Sequence, residues 1–259
     1  MRKVVFNQKG GVGKSTITCN LAAISAHQGK RTLVVDLDPQ GNSTHYLLGQ
    51  ASTELPVTLA DFFDQVLNFK LNPKSTDEFV IASPFPDLHV MPSHPELEDL
   101  QGKLESRYKI YKLRDALDEL SEQFDIIYID TPPALNFYTR SALIAANGCL
   151  IPFDCDDFSR RALYSLLANV EEIKADHNRN LAVEGIVVNQ FQPRATLPQK
   201  MVQELVNEGL PVLSPYLSSS VKVKESHEQC KPMIHLDARH KLSQEYIALH
   251  DTLARKYGT

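Results

Sequence analysis

A glycine-rich stretch, QKGGVGKST at residues 8–16, follows the apolar run Val4-Val5-Phe6 and precedes a segment with helical periodicity. A glycine-rich turn between a strand and a helix exposes successive backbone N–H groups beside the positive end of the helix, and this arrangement binds polyanions. In such a loop Lys14 reaches the β and γ phosphates of a nucleotide, the Ser15 hydroxyl is a position for Mg²⁺, and Gly13 leaves room for close backbone approach. The sequence therefore predicts a phosphate-binding loop.

The loop departs from the standard pattern G-x-x-x-x-G-K-[ST], because Gln8 stands where that pattern has glycine. A second lysine, Lys9, opens the loop instead. In this form, KGGVGKS, the loop resembles that of the deviant Walker A ATPases of the ParA, Soj and MinD group. The resemblance implies ATP and Mg²⁺ as ligands. It also implies an ATP-dependent homodimer that encloses the nucleotides, in which Lys9 of one subunit reaches the phosphates of the other.

The composition places limits on the class of protein. With 259 residues and no linker-like segment rich in Pro, Gly, Ser or charge, residues 1–259 are expected to form a single P-loop ATPase domain. The formal net charge of -5 excludes a globally basic nucleic-acid binder, so a contact with DNA must come from a local patch. The sequence shows neither a leader nor an apolar run of bilayer length, which predicts a cytoplasmic protein.

The cysteines and histidines do not predict a metal centre. The four cysteines lack C-x-x-C spacing and are expected to be small apolar residues in a reducing compartment; they are Cys19, Cys149, Cys155 and Cys230. An iron–sulfur relative in the same ATPase group, the nitrogenase iron protein, needs a cysteine pair that bridges two subunits, and this interpretation is disfavoured. The histidines show no H-x-x-x-H or H-E-x-x-H spacing.

A second string follows the next predicted strand. Residues 31–36 form a short apolar run, read as a buried parallel strand, which leads into DLDPQGN at residues 36–42. Ligands of open α/β sheets sit at the carboxyl ends of the strands. The string resembles the switch I segment of ParA-like proteins, and the resemblance implies that Asp38 positions the attacking water near Mg²⁺. The alternative is an Asp-Pro turn with a capping carboxylate.

A third string, FDIIYID at residues 124–130, ends in a carboxylate and is followed by Thr131-Pro132-Pro133. A carboxylate at the tip of a strand beside the loop strand can hold a Mg²⁺-bound water, which is the Walker B role. We assign this role to Asp130. The string DTPP also resembles the switch II sequence of ParA-like proteins, and three nucleotide-site strings in the expected order support one another.

The remaining periodicity completes a coarse fold prediction. Helices are predicted over 16–28, 58–67, 96–105, 113–124, 159–173, 197–206 and 242–257, and strands over 31–36, 88–92, 124–130, 148–152, 183–189 and 212–213. Residues 70–87 are polar and poorly patterned and are left unassigned. The predicted architecture is α/β, a doubly wound and mainly parallel sheet flanked by helices.

Three further features leave alternatives open. The resemblance implies that Asn189, at a strand end, contacts the adenine edge, although asparagine also caps strand ends for local reasons. Arg160 and Arg161 depart from the uncharged or acidic family pattern and are a solvated helix start, an interface patch or a DNA contact. The apolar stripe of residues 242–257 is more simply explained by core packing than by the membrane-inserting helix of MinD-like proteins.

The C-terminal part of the chain is its basic part. From residue 190 onward the sequence contains nine Lys and Arg residues and seven Asp and Glu residues. This is an excess of two positive charges in a chain of net charge -5. The resemblance implies nonspecific DNA binding here, with Lys222 where a DNA-contacting arginine is usual. Residues 218–220 are three serines where an arginine is common, which weakens the DNA assignment. In VKVKE, an extended or turning backbone would place Lys222 and Lys224 on the same side.

The leading hypothesis is a ParA-like ATPase that binds DNA nonspecifically as an ATP dimer. A ParB-like protein or cargo adaptor stimulates its slow hydrolysis, and its ATP state is nucleoid-associated. The alternatives are a MinD-like membrane-associated positioning ATPase, with membrane binding disfavoured, and a metabolic P-loop ligase or reductase, which Lys9 and DLDPQGN disfavour. The cargo stays open among a plasmid, a chromosome origin and a protein assembly.

The candidate residues fall into four groups. Catalytic roles are assigned to Lys9, Lys14 and Asp38. Nucleotide contacts are assigned to Lys9, Gly10, Gly11, Val12, Gly13, Lys14, Ser15, Thr16 and Asn189. Metal coordination is assigned to Ser15, Asp38 and Asp130, and DNA contacts are assigned to Lys222, Lys224, Arg194 and Lys200.

Overall fold

A sheet of parallel strands forms the centre of the protein. The computed structural model describes residues 1–155 and 160–257, and the strands in these ranges are β1 (Arg2–Val5), β2 (Thr32–Asp36), β3 (Ile81–Ala82), β4 (Leu88–Met91), β5 (Ile126–Asp130), β6 (Gly148–Asp154) and β7 (Ala182–Asn189). These seven strands lie in the order β3-β4-β2-β5-β1-β6-β7. Only β3, which pairs with β4, is antiparallel among them. The predicted fold class is confirmed.

Helices connect the strands and cover both faces of the sheet. Their bounds are α1 (Lys14–His27), α2 (Asn42–Leu48), α3 (Leu59–Leu67), α4 (Leu97–Ser106), α5 (Lys112–Leu120), α6 (Phe137–Ala145), α7 (Arg160–Asp176), α8 (Thr196–Asn207), α9 (Lys222–Glu228), α10 (Met233–Leu236) and α11 (Lys241–Tyr257). Local sequence sets several ends. Thr58 and Asp61 form a capping box at the start of α3, and Gly49, with φ 68°, ends α2.

Alternate residues of each strand build separate cores on the two faces. Val4 packs with residues of α3 to α8 on one face, whereas Val5 packs with α1, α2, α10 and α11 on the other. This alternation follows from the two-residue period of a strand. Because both faces are covered, the parallel strands carry almost continuous apolar runs.

Parallel register brings the carboxyl ends of the strands to one edge. Val5 of β1 and Asp36 of β2 both lie in register with Asp130 of β5. Asp154 of β6 lies in register with Asn189 of β7 at the same edge. The three nucleotide-site strings and Asn189 are therefore delivered to one side of the sheet by its topology.

A buried ion pair joins two strands away from that edge. Lys3 of β1 donates from Nζ to Oε2 of Glu184 of β7 at 2.6 Å, and both side chains are almost completely buried. Gly148 of the intervening strand β6 makes room for the pair, because a Cβ there would lie 2.1 Å from Oε1 of Glu184. Burial lowers the pKa of Lys3, and the nearby Glu184 opposes this effect.

Several local predictions need correction. Helices α2, α6, α9 and α10 were not predicted. In place of the strand predicted over residues 212–213, Val212 forms an isolated bridge to Ile186. Residues 70–87 contain a short 3₁₀ helix, Thr76–Phe79, and strand β3. The Ser159 start predicted for α7 lies outside the described residues, as does the side chain of Arg160.

The placement of Lys222 and Lys224 on one side of an extended or turning segment is wrong. Both residues lie in helix α9, where residues two positions apart point about 200° apart around the axis.

The apolar stripe of α11 is confirmed as core packing. Its four buried apolar residues lie in the core that contains α1, and they are Leu242, Tyr246, Leu249 and Leu253. In the described part of the chain, none of the helices combines the length and the apolar composition that crossing a bilayer requires.

Candidate nucleotide-binding site

The glycine-rich loop turns sharply between β1 and α1. Gly11 and Gly13 have φ values of 77° and 90°, in the left-handed region that favours glycine. At Gly13 an added Cβ would also lie 2.3 Å from Nδ2 of Asn189. That amide donates to the carbonyl oxygen of Val12 at 3.0 Å. Asn189, predicted to contact adenine, therefore packs directly against the loop backbone.

Hydrogen bonds from neighbouring segments hold the start of the loop. Asn7 donates from Nδ2 to the carbonyl oxygen of Pro152 at 2.7 Å and accepts from the backbone N–H of Lys9 at 2.9 Å. The Thr131 hydroxyl donates to the carbonyl oxygen of Val5 at 2.8 Å. These bonds fix the loop before its first glycine, so its N–H groups are preorganised for an anion.

Lys14 folds across this loop. Its Nζ donates to the backbone carbonyl oxygen of Lys9 at 3.0 Å, and the residue is 7% exposed. Burial lowers the pKa of Lys14, while the carboxylates of Asp130 and Asp38 raise it. The loop thus presents one desolvated ammonium group beside two carboxylates.

Asp130 is fully buried behind the loop. Its Oδ2 accepts from the Ser43 hydroxyl at 2.7 Å, its Oδ1 accepts from the N–H of Thr131 at 3.0 Å, and Ser15 also donates to it. Burial raises the pKa of Asp130 to about 6, although the bonds from Ser15 and Ser43 oppose the shift. Ser43, at the start of α2, was not identified from the sequence.

Asp36 and Asp38 occupy different positions at the end of β2. Asp36 is fully buried and accepts from both the N–H and the hydroxyl of Thr44 at 2.8 Å, so it ties α2 to the sheet. Asp38 lies in the cleft, 6% exposed, and accepts from the N–H of Gln40 at 3.1 Å. Burial raises the pKa of both carboxyl groups. Nearby Lys14 opposes the shift at Asp38.

Two clefts meet at the start of α1. A cleft of about 350 Å³ is lined by the loop with Lys14, Ser15, Asp38 and His227. A neighbouring cleft of about 420 Å³ is lined by Asn189 and by residues 218–221 and Lys224. Gly11, Gly13 and Thr16 line both clefts. The first has the chemistry of a phosphate site, and the second leads from it toward Asn189.

The side chains at the first cleft suit a divalent cation. Buried carboxyl groups at positions 36, 38 and 130 lie at or behind this cleft with the ammonium group of Lys14, and ionising all three in a desolvated site is costly without further positive charge. Mg²⁺ prefers oxygen ligands and binds beside phosphates through one or two carboxylates. The residues that could offer such oxygens here are Ser15, Asp38 and Asp130, as the sequence predicts.

The predicted DNA residues lie apart from the phosphate cleft. The loop after β7 runs beside residues 217–219 through a bridge between Phe191 and Ser218. Arg194 follows Phe191 in that loop and is exposed. Lys222, on α9, is half-buried and donates from Nζ to Glu225 at 2.7 Å. Lys224 and Lys200, on α9 and α8, are exposed.

Together, the fold and the site define a P-loop ATPase of the deviant Walker A type. A family profile described as the AAA domain matches residues 2–183. The chromosome partitioning protein ParA of Myxococcus xanthus is 32% identical over 254 residues, which cover 97% of this chain and 87% of that protein. The sporulation initiation inhibitor protein Soj of Bacillus subtilis is 29% identical, with 96% of each chain covered. The chain belongs to the ParA-type partition ATPases within this AAA domain family.

Similarity of structure extends beyond partition proteins. Cobyrinic acid a,c-diamide synthase from Mycobacterium smegmatis, solved with a bound ATP analog and magnesium, superimposes with a TM-score of 0.83 at 27% identity. The alignment covers 100% of this chain and 96% of that one. A closely similar fold therefore binds an ATP analog and magnesium in a synthase, so the fold alone does not fix the role of the site.

Proposed function

We propose that this chain is an ATPase that binds ATP and Mg²⁺, dimerises around the nucleotides and binds DNA without sequence preference in the ATP state. A partner protein stimulates its slow hydrolysis and so releases it from DNA. Residues 1–259 act as one domain. The observation that carries the proposal is the convergence of Lys14, Ser15 and Asp38 in one cleft, with Asp130 directly behind it.

Each side chain has a distinct task in hydrolysis. The loop N–H groups and Lys14 bind the phosphates and offset the charge that develops on them in the transition state. Asp38, desolvated at the cleft wall, accepts a hydrogen bond from the attacking water and orients it. Mg²⁺ supplies further positive charge at the phosphates. Asp130 and Ser15 are hydrogen-bonded to each other and would bind the metal ion on their side of the cleft.

Lys9 accounts for the proposed dimer. Its backbone carbonyl oxygen accepts the bond from Lys14, so the main chain of this residue serves its own subunit. Its side chain is half-exposed at the mouth of the loop. In a dimer that joins two copies at this edge, the ammonium group of Lys9 would contact the phosphates of the nucleotide bound by the partner subunit. Dimerisation would then depend on ATP.

The proposed DNA surface comprises Arg194, Lys200, Lys222 and Lys224. The bridge between Phe191 and Ser218 brings the loop with Arg194 close to the segment that leads into α9. Lysine and arginine on such a surface bind phosphates of any sequence and release counterions. A membrane role is less favoured, because the apolar residues of α11 are buried in the core.

Membership of the partition family supports a cargo and an activating partner protein, with the kind of cargo left open. A ParB-like protein on a plasmid or chromosome, or an adaptor on a protein assembly, would stimulate hydrolysis and set the position of the cargo. In the cell, we expect the ATP form on the nucleoid within the cytoplasm. Knowing which gene lies immediately downstream would narrow the choice of partner most.

Three measurements on the purified chain test the proposal: light scattering for mass, co-sedimentation with DNA and co-sedimentation with anionic liposomes. Each is made with ATP and with ADP in the presence of Mg²⁺. We expect ATP alone to double the mass and to support DNA binding that falls steeply with salt. Liposome binding without DNA binding would favour the MinD-like alternative. Hydrolysis by a monomer that binds neither would favour a metabolic enzyme.

A further inference from the structure

His227, on helix α9, lines the same cleft as Lys14 and Ser15. Its Nε2 lies 3.0 Å from the hydroxyl oxygen of Thr16, in the first turn of α1. The chain separation between these residues is 211 positions. No motif in the sequence pointed to His227, and the contact is created by the tertiary fold.

The core fixes the orientation of this imidazole ring. His227 stacks on Tyr46 of α2 with ring centroids 4.1 Å apart and an angle of 16° between the planes. Tyr46 is 1% exposed, and its hydroxyl is hydrogen-bonded to Ser226 and to Nδ2 of Asn20. The ring is therefore held with its Nε2 edge toward the loop.

The position of Thr16 indicates which part of a bound nucleotide would lie next to it. It lines both the cleft with Lys14 and Asp38 and the neighbouring cleft with Asn189. A nucleotide whose terminal phosphates lie at Lys14 and whose base lies toward Asn189 passes Thr16 in between. The phosphate nearest the nucleoside then lies within reach of the Thr16 hydroxyl and of Nε2 of His227.

We propose that His227 and Thr16 together bind the nucleotide phosphate nearest the nucleoside. This inference rests on the proposed nucleotide-binding function and assigns a further binding residue to it. Because His227 lies on α9 with Lys222 and Lys224, the same contact makes the position of the proposed DNA residues depend on the nucleotide. The phosphate is shared by ATP and ADP, so both nucleotides make the contact.

The surroundings of His227 give the contact a pH dependence. His45 and Tyr46 lie beside it on α2 and Thr16 on α1, and Cys230, just after α9, donates from Sγ to the backbone carbonyl oxygen of His227 at 3.6 Å. Lys14 and Asp38 line the same cleft. Burial lowers the pKa of His227, and His45 lowers it further. An anionic phosphate favours the protonated ring, so nucleotide binding increases proton uptake by His227 and strengthens as the pH falls toward and below the usual histidine pKa of about 6.5.

The direct test measures ATP and ADP affinities of the parent, His227→Ala, His227→Gln and the control His45→Gln. His45 neighbours His227, but its Nε2 faces Cys230 Sγ at 3.7 Å. Loss of a hydrogen bond to a charged phosphate should weaken both nucleotides about tenfold in His227→Ala. The control should stay within about twofold. Parent affinity in His227→Ala, or a loss confined to ATP, would overturn the inference.

A second readout separates binding from a structural role. Calorimetry of ADP binding in two buffers of different ionisation enthalpy measures proton uptake, and the nucleotide's own ionisation is common to all variants. We expect uptake in the parent and in His45→Gln, and a smaller uptake in His227→Gln. Equal uptake in all three would count against the inference. A parent that binds neither nucleotide would instead contradict the proposed function.

Discussion

Lys14 donates a hydrogen bond from Nζ to the backbone carbonyl oxygen of Lys9 at 3.0 Å. In this hydrogen bond Lys14 uses its ammonium group, whereas Lys9 uses its main chain. Removing either side chain should have separate consequences, because replacing the Lys9 side chain leaves its carbonyl group in place.

Lys14→Ala is expected to abolish measurable ATP binding, since the phosphates would lose the buried ammonium group that lies across the loop. Isothermal titration with ATP and Mg²⁺ measures the effect. Lys30→Ala, which removes an exposed lysine just after α1, is the matched control and should bind as the parent does. An ATP affinity of Lys14→Ala close to that of the parent would exclude the loop as the phosphate-binding element.

Lys9→Ala is expected to bind ATP within about threefold of the parent, because the carbonyl group that accepts from Lys14 remains. The ATP-dependent increase in mass should be lost, since the proposed contact across the dimer uses the side chain. Nucleotide titration and light scattering on the same sample test both statements. An ATP dimer that persists in Lys9→Ala would exclude this role for the lysine.

Asp38→Ala is expected to retain ATP and to accumulate dimers, because the loop, Lys14 and Asp130 are unchanged. Turnover should fall by at least about 100-fold, since the attacking water loses the carboxylate that orients it. Phosphate release with the activating partner present measures the rate. Undiminished stimulated turnover would show that another group positions the water.

Lys222→Glu/Lys224→Glu is expected to weaken ATP-dependent DNA binding by at least about tenfold and to leave the dimer intact. Lys224 should account for most of the loss, because Lys222 is held by Glu225 at 2.7 Å. Filter binding at two salt concentrations follows the effect in the double variant and in each single one.

Lys103→Glu/Lys174→Glu is the matched control for DNA binding. It changes charge by the same amount on α4 and α7, which pack on the opposite face of the sheet from α9. If this control weakens binding as much as the α9 variant, net charge alone explains the effect. If the α9 variant binds DNA as the parent does, Arg194 and Lys200 become the next candidates for the DNA contact, followed by Arg161.

Lys3→Met is expected to lower the free energy of unfolding by about 3–5 kcal/mol, because Glu184 is left buried without the ammonium group that it contacts at 2.6 Å. The double variant Lys3→Met/Glu184→Leu should recover most of this loss, since neither buried charge remains. Urea unfolding of the parent, both single variants and the double variant measures the coupling free energy between Lys3 and Glu184. A double variant no more stable than Lys3→Met would contradict this account.

Much of the fold and the phosphate cleft could be predicted because the information is local. The loop at residues 8–16 and the carboxylates Asp38 and Asp130 each stand in a contiguous string at the end of an apolar run. Parallel strands bring such ends to one edge. The fold class follows from the same alternation of strand and helix.

The long-range neighbours of the cleft were decided by tertiary structure alone. Asn189 packs on Gly13, Ser43 donates to Asp130 and His227 contacts Thr16 across separations that no periodic pattern records. Each pair is set by the packing of whole elements on the sheet.

The segment with Lys222 and Lys224 shows the same limit. Its alternating VKVK pattern favours an extended chain, yet it forms the seven-residue helix α9. A helix this short has little intrinsic stability. Ser226, buried against Tyr46 and bonded to its hydroxyl, anchors α9 on the protein. The sequence by itself determined the strand-end chemistry, whereas packing decided which distant side chains surround it.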